Sequence, residues 1–393
     1  MSQYDALFEP LNINKLTIRN RIVSTAHAEV YATDGGMTTD RYVKYYEEKA
    51  KGGCGLCICG GSSVVSIDSP QSWWSSVNLS TDRIIPHFQN LADAVHKHGG
   101  KIMIQITHMG RRSRWDGENW PNLMSPSGIR EPVHRATCKT IEVEEMWRII
   151  GDFAQAARRA KEGGLDGVEL SAVHQHLIDQ FWSPLTNDLE GPYGGRDLDS
   201  RMKLLLDVLR GIRKRVGDDF IIGLRYTADE AEAGGITPKE GIEISKRLAA
   251  TGMVDFLNVI RGRVHSDPAL TDVIPVQGMR SAPHLDFAGS VRAATGLPTF
   301  HAARIPDVAT ARYAVAAGLL DMVGMTRAHM ADPHIVKKII EGREDDIRPC
   351  VGATYCLDRI YQAGDALCLH NAATGRELTM PHDIAPADTR KKV

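Results

Sequence analysis

The chain lacks a surplus of either charge. Its 47 Lys and Arg stand against 49 Asp and Glu, a formal net charge of -2 over 393 residues. That excludes the basic excess of a nucleic-acid binder and any surface that steers substrates by one sign of charge. Long apolar runs are missing too. No stretch approaches the roughly 18 residues that a membrane-spanning helix needs, and the first residues carry neither the cationic nor the apolar part of a secretory leader. A cytoplasmic protein with no membrane partner is the expectation. Seven cysteines are an odd number in a chain of this length, so a disulfide framework is not expected, leaving metal binding or plain burial. What is there, 42% apolar and 24% charged, describes a large, well-buried domain suited to small-molecule chemistry.

Short β-rich runs alternate with amphipathic stretches. Strands are expected at Arg21–Ser24, Leu56–Gly60, Lys101–Thr107, Gly167–Leu170, Ile221–Tyr226, Phe256–Val259, Thr299–His301 and Met322–Met325. Helices are expected at Met146–Glu162, Ser200–Val216, Pro238–Ala250 and Val308–Ala317, the last two capped by Thr237 and Asp307. Repeated strand-then-helix units demand a parallel sheet, and eight of them close into an α/β fold, a (β/α)8 TIM barrel with a C-terminal Cys-containing extension. A doubly wound sheet is the alternative.

The longest loops, Gln105–Thr140 and His174–Asp199, follow strands and so belong at the C-terminal face, where such barrels do chemistry. They carry Trp115, Trp120 and Trp182, which either form lids or pack the loops onto the barrel. Between Val168 and Pro184 the chain reads VELSAVHQHLIDQFWSP, an apolar strand closing on two histidines. His174 and His176 are the candidate catalytic groups, and an imidazole at either place is expected to titrate near neutral pH.

The runs HAARIPD (His301–Asp307) and GMTRAHMADP (Gly324–Pro333) follow strands seven and eight. Barrels commonly hold a phosphate there, on backbone N–H groups near a helix start, and Arg304 and Arg327 would add charge-assisted bonds. Gln105 and Arg225 offer an inward amide and guanidinium, which suit the edge of a flat heteroaromatic ring with O2, N1 and N3–H to satisfy. A flavin fits this combination.

LFEPLNINKLTIRNRIV near the start, QITHMGR at Gln105–Arg111, DQFWSPLTND and VGMTRAHMADP together resemble the old yellow enzyme superfamily of FMN barrels. RPCVGATYCLDRIYQAGDALCLHN, at Arg348–Asn371, resembles the iron–sulfur segment of its multidomain branch, which includes trimethylamine dehydrogenase and 2,4-dienoyl-CoA reductase. Within that branch the chain is most similar to N-methylproline and dimethylglycine demethylases. The resemblance implies that Thr25, Ala26, Gly60, Gln105 and Arg225 contact the isoalloxazine ring. It also implies that Ala303, Arg304, Gly324 and Arg327 hold the phosphate. Ala28 stands where covalent flavoproteins of the branch have cysteine, which implies a dissociable FMN. His174 falls on an active-site histidine, Ser171 replaces a tyrosine of that site, and His176 replaces the tyrosine that protonates carbon in ene-reductases.

The resemblance further implies a cluster ligated by four cysteines, and three are present: Cys350, Cys356 and Cys368, with Ala353 in the second place. The expectation is a 4Fe-4S cluster with an unusual fourth ligand such as His370 or water, a three-iron cluster being the other possibility. Cys54, Cys57 and Cys59 fall on a strand and read as core. The expected division is a barrel over residues 1–345, a Cys segment over 346–380 and a linker over 381–393, leading in relatives to a nucleotide-binding domain whose GxGxxG motif this sequence lacks. The expected activity is oxidative N-demethylation of a small N-methylated amino acid, with Arg261 or Arg263 pairing with the substrate carboxylate unless they are solvated loop charges. The alternative is NAD(P)H-dependent reduction of an enone or dienoyl substrate. A small-molecule amine is the expected partner, in a homo-oligomer with an unknown electron acceptor.

Overall fold

The computed structural model describes residues 5–70, 75–114, 122–195 and 197–384, with 386 and 389. Eight strands close into one parallel barrel in chain order: β1 Ile22–Ser24, β2 Leu56–Val64, β3 Lys101–Thr107, β4 Gly167–Ala172, β5 Ile221–Asp229, β6 Phe256–Arg261, β7 Thr299–His301 and β8 Met322–Gly324. β8 returns to β1 through the pairs Val323–Ile22 and Gly324–Val23. The main helices between and after them are α1 Asp40–Lys51, α2 Ile85–His96, α3 Val143–Glu162, α4 Leu198–Val216, α5 Pro238–Ala250, α6 Leu285–Thr295, α7 Val308–Ala316 and α8 Ile335–Ile340. The (β/α)8 expectation is therefore met.

Helix starts follow from local chemistry. The hydroxyl of Thr237 accepts the Glu240 N–H, and the Asp307 carboxylate accepts that of Thr310. Helix α3 begins three residues before Met146, because Glu142 and Glu145 form a reciprocal capping box. Helix α4 starts two residues before Ser200, on the Asp197 cap.

Four strands run further at their C-terminal ends than the apolar pattern predicts. β2 continues from Gly60 to Val64, with a register shift between Cys59 and Ser63. β4 reaches Ala172, β5 reaches Asp229 and β6 reaches Arg261. The added positions include Ser171, Thr227, Asp229 and Arg261, which an apolar-run criterion discards.

A hairpin over Leu11–Ile13 and Leu16–Ile18 was not anticipated. Its Leu11, Ile13 and Ile18 join Val23, Leu56, Met103, Ile221, Phe256 and Phe300 in one cluster, closing the N-terminal end of the barrel. Cys54, Cys57 and Cys59 are buried in the larger core beneath the helices. Trp182 is buried against Tyr226, ring centroids 5.7 Å apart, so it packs its loop rather than forming a lid. Trp115 and Trp120 lie outside the described residues, as does most of the 385–393 stretch.

Residues 350–380 fold back over the barrel. Tyr31 donates to the Ala366 carbonyl, Arg41 pairs with Asp365 at 2.8 Å, and Asn371 and Thr374 both donate to the Met330 carbonyl. Among the described residues no helix is long and apolar enough to cross a membrane.

Candidate active site

At the C-terminal mouth of the barrel, a cavity of about 150 Å³ opens where β7, β8 and β1 end. Thr25, Ala26, Arg225, Ala303, Arg304, Gly324 and Arg327 line it; Gly60 and Gln105 do not. The Gly60 N–H is already donated to Glu29, at 3.2 Å.

A buried polar floor lies inside the barrel. Glu169 of β4 accepts from Gln105 Nε2 at 2.7 Å and from Asn258 Nδ2 at 2.8 Å. Burial raises its carboxyl above the usual range, against the pull of Arg225. A carboxylate only accepts, so the Gln105 amide turns its NH2 toward Glu169 and keeps Oε1 free as an acceptor. Arg225 donates through Nη1 to the Ala26 carbonyl at 2.9 Å, while its buried Nε has no partner. Glu169 and Asn258 were not singled out from sequence. The signal was a lone acid and a lone amide inside the apolar runs GVELSA and FLNVIR.

The strand-seven end bends through two left-handed residues, Ala303 (φ 109°) and Arg304 (φ 53°). Arg304 Nε donates to the Met279 carbonyl. Gly324 sits where three strand ends converge: a Cβ there would lie 2.7 Å from Ala302 Cβ and 3.0 Å from both the His301 carbonyl and Thr25 Cγ2. Arg327 keeps a buried, unpartnered Nη1. A crowded glycine cradle beside an orphaned guanidinium N–H fits a phosphate, and the free acceptor of Gln105 with the free Nε of Arg225 fits a flavin ring edge.

His174 and Gln175 are both left-handed (φ 57° and 60°), a turn held by the Asp179 carboxylate, which accepts the Gln175 N–H at 2.7 Å. Burial and the charge of Glu230 push Asp179 up to about 7. The turn sets the two imidazoles 6.4 Å apart. His176 Nδ1 lies 2.9 Å from Thr107 Oγ1 and 3.3 Å from Ser171 Oγ. His174 Nδ1 is buried without a partner. The expectation that these groups titrate near neutral pH is corrected here. Burial, then the charge of Arg112, drives His176 down to about 3, and burial with Arg225 holds His174 well below its usual value. Both rings are neutral at pH 7.

Arg261, the last residue of β6, and Arg263, just beyond it, are committed to acids. Arg261 pairs with Asp229 at 2.6 Å; Arg263 pairs with Glu232 at 2.6 Å and Glu230 at 3.3 Å.

Cys350, Cys356 and Cys368 line a second, adjoining cavity together with Ala353 and His370, and Arg327, Cys350 and Cys356 border both. Burial pushes the Cys356 thiol up to about 11 and raises Cys368. No three of their sulfurs and ring nitrogens lie within 4.8 Å of one another, whereas a single tetrahedral zinc with Zn–S near 2.3 Å would hold its ligands about 4 Å apart. The backbone N–H of His370 points at Cys368 Sγ (3.4 Å), and its ring Nδ1 lies 2.9 Å from the Pro349 carbonyl. A carbonyl only accepts, so Nδ1 is the donor in this contact.

Residues 6–346 match the family described as NADH:flavin oxidoreductase / NADH oxidase. The chain belongs to this family. Membership carries FMN as cofactor and oxidoreduction as the class of chemistry. The chain is 63% identical over 390 residues to an N,N-dimethylglycine/sarcosine dehydrogenase of Chromohalobacter salexigens, covering 99% of this chain and 56% of that protein. It is 60% identical over 389 residues to a probable N-methylproline demethylase of Rhizobium meliloti, covering 99% and 57%. Among solved structures, a 2-naphthoyl-CoA reductase in complex with 2-naphthoyl-CoA superposes with a TM-score of 0.92 at 29% identity, covering 99% of this chain and 60% of that one. The chain thus spans little more than half the length of these relatives.

Proposed function

We propose that this chain carries out oxidative N-demethylation of a small N-methylated amino acid of the N-methylproline or dimethylglycine type. Hydride leaves the N-methyl carbon, and water hydrolyses the resulting iminium to formaldehyde and the demethylated amine. When bound, FMN supplies the hydride acceptor. Arg225, Gln105, Thr25 and Ala26 would hold its ring, and Ala303, Arg304, Gly324 and Arg327 its phosphate.

One observation carries the reading: two buried histidines on the loop after β4 are held unprotonated. An amine gives hydride only as the free base, because the nitrogen lone pair must stabilise the positive charge left on carbon. Burial, Arg112 and Arg225 keep two imidazoles unprotonated, and an amine bound beside them would meet the same desolvation and positive charge, which favour its neutral form. His174 and His176 then serve as neutral groups that orient the nitrogen and the attacking water. Ser171 and Thr107 fix the His176 ring. The dehydrogenase and demethylase relatives support the same substrate class.

We also propose that Cys350, Cys356 and Cys368 hold an iron–sulfur cluster whose fourth corner, at Ala353, takes a non-thiolate ligand such as His370 or water. It would take electrons from the flavin site across the wall shared by the two cavities.

The likeness to the naphthoyl-CoA reductase favours a second reading, reduction of an activated C=C bond with NAD(P)H. An anaerobic titration separates the two. Dimethylglycine or N-methylproline should bleach the oxidised flavin band and release formaldehyde in step. Bleaching by NAD(P)H alone, with recovery on adding an enone, would replace the proposal with the second reading.

A further inference from the structure

Away from the barrel mouth, the stretch that follows the Cys segment meets helix α1 in a group of histidines and acids. His334, just before α8, donates through Nε2 to Glu48 Oε1 of α1 at 2.7 Å, and its Nδ1 lies 3.8 Å from Asp383 Oδ1. One ligand atom from each of Glu48, His334 and Asp383 falls within 4.8 Å of the other two. Among the described residues no other histidines, cysteines and acids converge so closely. Glu48 and His334 are buried, while Asp383 faces solvent and leaves an entry path.

Lys51 already sets a positive charge there. Its Nζ stands 2.9 Å from Asp383 Oδ2 and 3.3 Å from Glu48 Oε1. An ammonium shared by two carboxylates marks a place that favours a cation. The Lys51 side chain is 41% exposed, so giving up these pairs for water costs little.

A second observation points to a ligand rather than to an ion pair alone. The His382 side chain is 7% exposed, yet its Nε2 makes no hydrogen bond. Glu377 Oε1 is 3.6 Å from it and is taken by the Gly375 N–H at 3.0 Å. The His382 and His334 ring centroids lie 5.8 Å apart. Two imidazoles on one tetrahedral ion, each with a metal–nitrogen distance of about 2.1 Å, hold their ring centres about 5–6 Å apart. His382 stands just outside the 4.8 Å set, and a small closing movement would bring its free Nε2 to the ion.

We propose that Glu48, His334, His382 and Asp383 form a binding site for a first-row divalent transition ion, which displaces Lys51 and ties the stretch after the Cys segment to α1. Two imidazole nitrogens with two carboxylates suit such an ion better than Mg2+ or Ca2+, which prefer oxygen donors throughout. None of the four residues lines either cavity, so the role is structural and separate from the flavin chemistry.

Mn2+ is the probe for the test, because thiolates compete for it poorly and the three cysteines of the segment stay out of the titration. Uptake by the FMN-loaded, tag-free chain is read from loss of the free-ion EPR signal, with the thermal midpoint alongside. Wild type should bind one Mn2+ and melt at a higher temperature with it, and an equal concentration of Mg2+ should not displace it. His334→Ala and His382→Ala should each weaken binding about tenfold or more. Lys51→Met removes the resident cation and should tighten binding about fivefold. FMN content equal to wild type checks that each variant folds. No saturable uptake, uptake that survives loss of either histidine, or uptake indifferent to Lys51→Met overturns the site.

Discussion

At the scale of single residues, the site is defined by groups denied their usual charge. His176 takes up a proton only near pH 3 in the folded chain, whereas in the unfolded chain it does so near pH 6.5. Below about pH 6.5 the unfolded state therefore binds more protons, and the stability that neutral His176 contributes at pH 7 is lost as the pH falls toward 3. His176→Asn removes this dependence. Relative to wild type, the variant should gain about 2 kcal/mol between pH 7 and pH 5, read from urea unfolding midpoints; an unchanged difference would show that the ring is solvated. In the same range the rate of flavin reduction should show no inflection from either imidazole. The sequence placed His174 and His176 at a strand end but could not give their charge state, which depends on burial and on Arg112 and Arg225 arriving from other parts of the chain. Glu169 and Asn258 escaped notice for a related reason. One polar residue in an apolar run looks like a tolerated exception until the barrel closes and joins Asn258 and Gln105 through Glu169.

At the scale of elements, strand ends and the turns beyond them shape the pocket. Eight apolar runs were legible because both faces of each strand are buried. Their C-terminal extensions were not, since Ser171, Thr227 and Arg261 break the apolar pattern. The hairpin at Leu11–Ile18 was missed because three-residue strands give too little periodicity. Gly324 and Asp179 act at this level. Gly324→Ala puts a methyl against the His301 carbonyl, Thr25 and Ala302, where backbone limits relaxation. Overpacking of this kind costs about 1–3 kcal/mol. The loss should appear as a weaker FMN Kd, measured by flavin fluorescence on titration, and an unchanged Kd would remove Gly324 from the cofactor site. Asp179→Ala leaves the buried Gln175 N–H without an acceptor in a turn already left-handed at two residues. It should retain FMN and lower the rate of flavin reduction by the amine. An unaltered rate would mean that the turn holds itself.

At the scale of the whole molecule, the chain joins a barrel of a flavin oxidoreductase family to a segment with three thiols packed on its mouth, with Arg327 bordering both cavities. The cysteine spacing was visible in sequence; the shared wall was not, because it depends on residues 350–380 folding back onto Tyr31, Arg41 and Met330. A four-iron cluster held by three thiolates has one corner iron without a sulfur anchor. That corner should be labile: His370 is exposed, and a neutral imidazole binds iron less firmly than a thiolate does. After anaerobic reconstitution with iron and sulfide, the wild-type chain should carry about four irons and lose about one on mild oxidation, giving the paramagnetic signal of a three-iron cluster. Ala353→Cys supplies the fourth thiolate at the spacing that the sequence otherwise keeps, and should hold its iron count through the same oxidation. His370→Ala should speed loss of the corner iron if the imidazole is the ligand, and leave it unchanged if water is. A wild-type chain that takes up no iron would remove the cluster altogether. Cys350, Cys356 and Cys368 would then be thiols that close the pocket wall, and electrons from the amine would leave the flavin by another route.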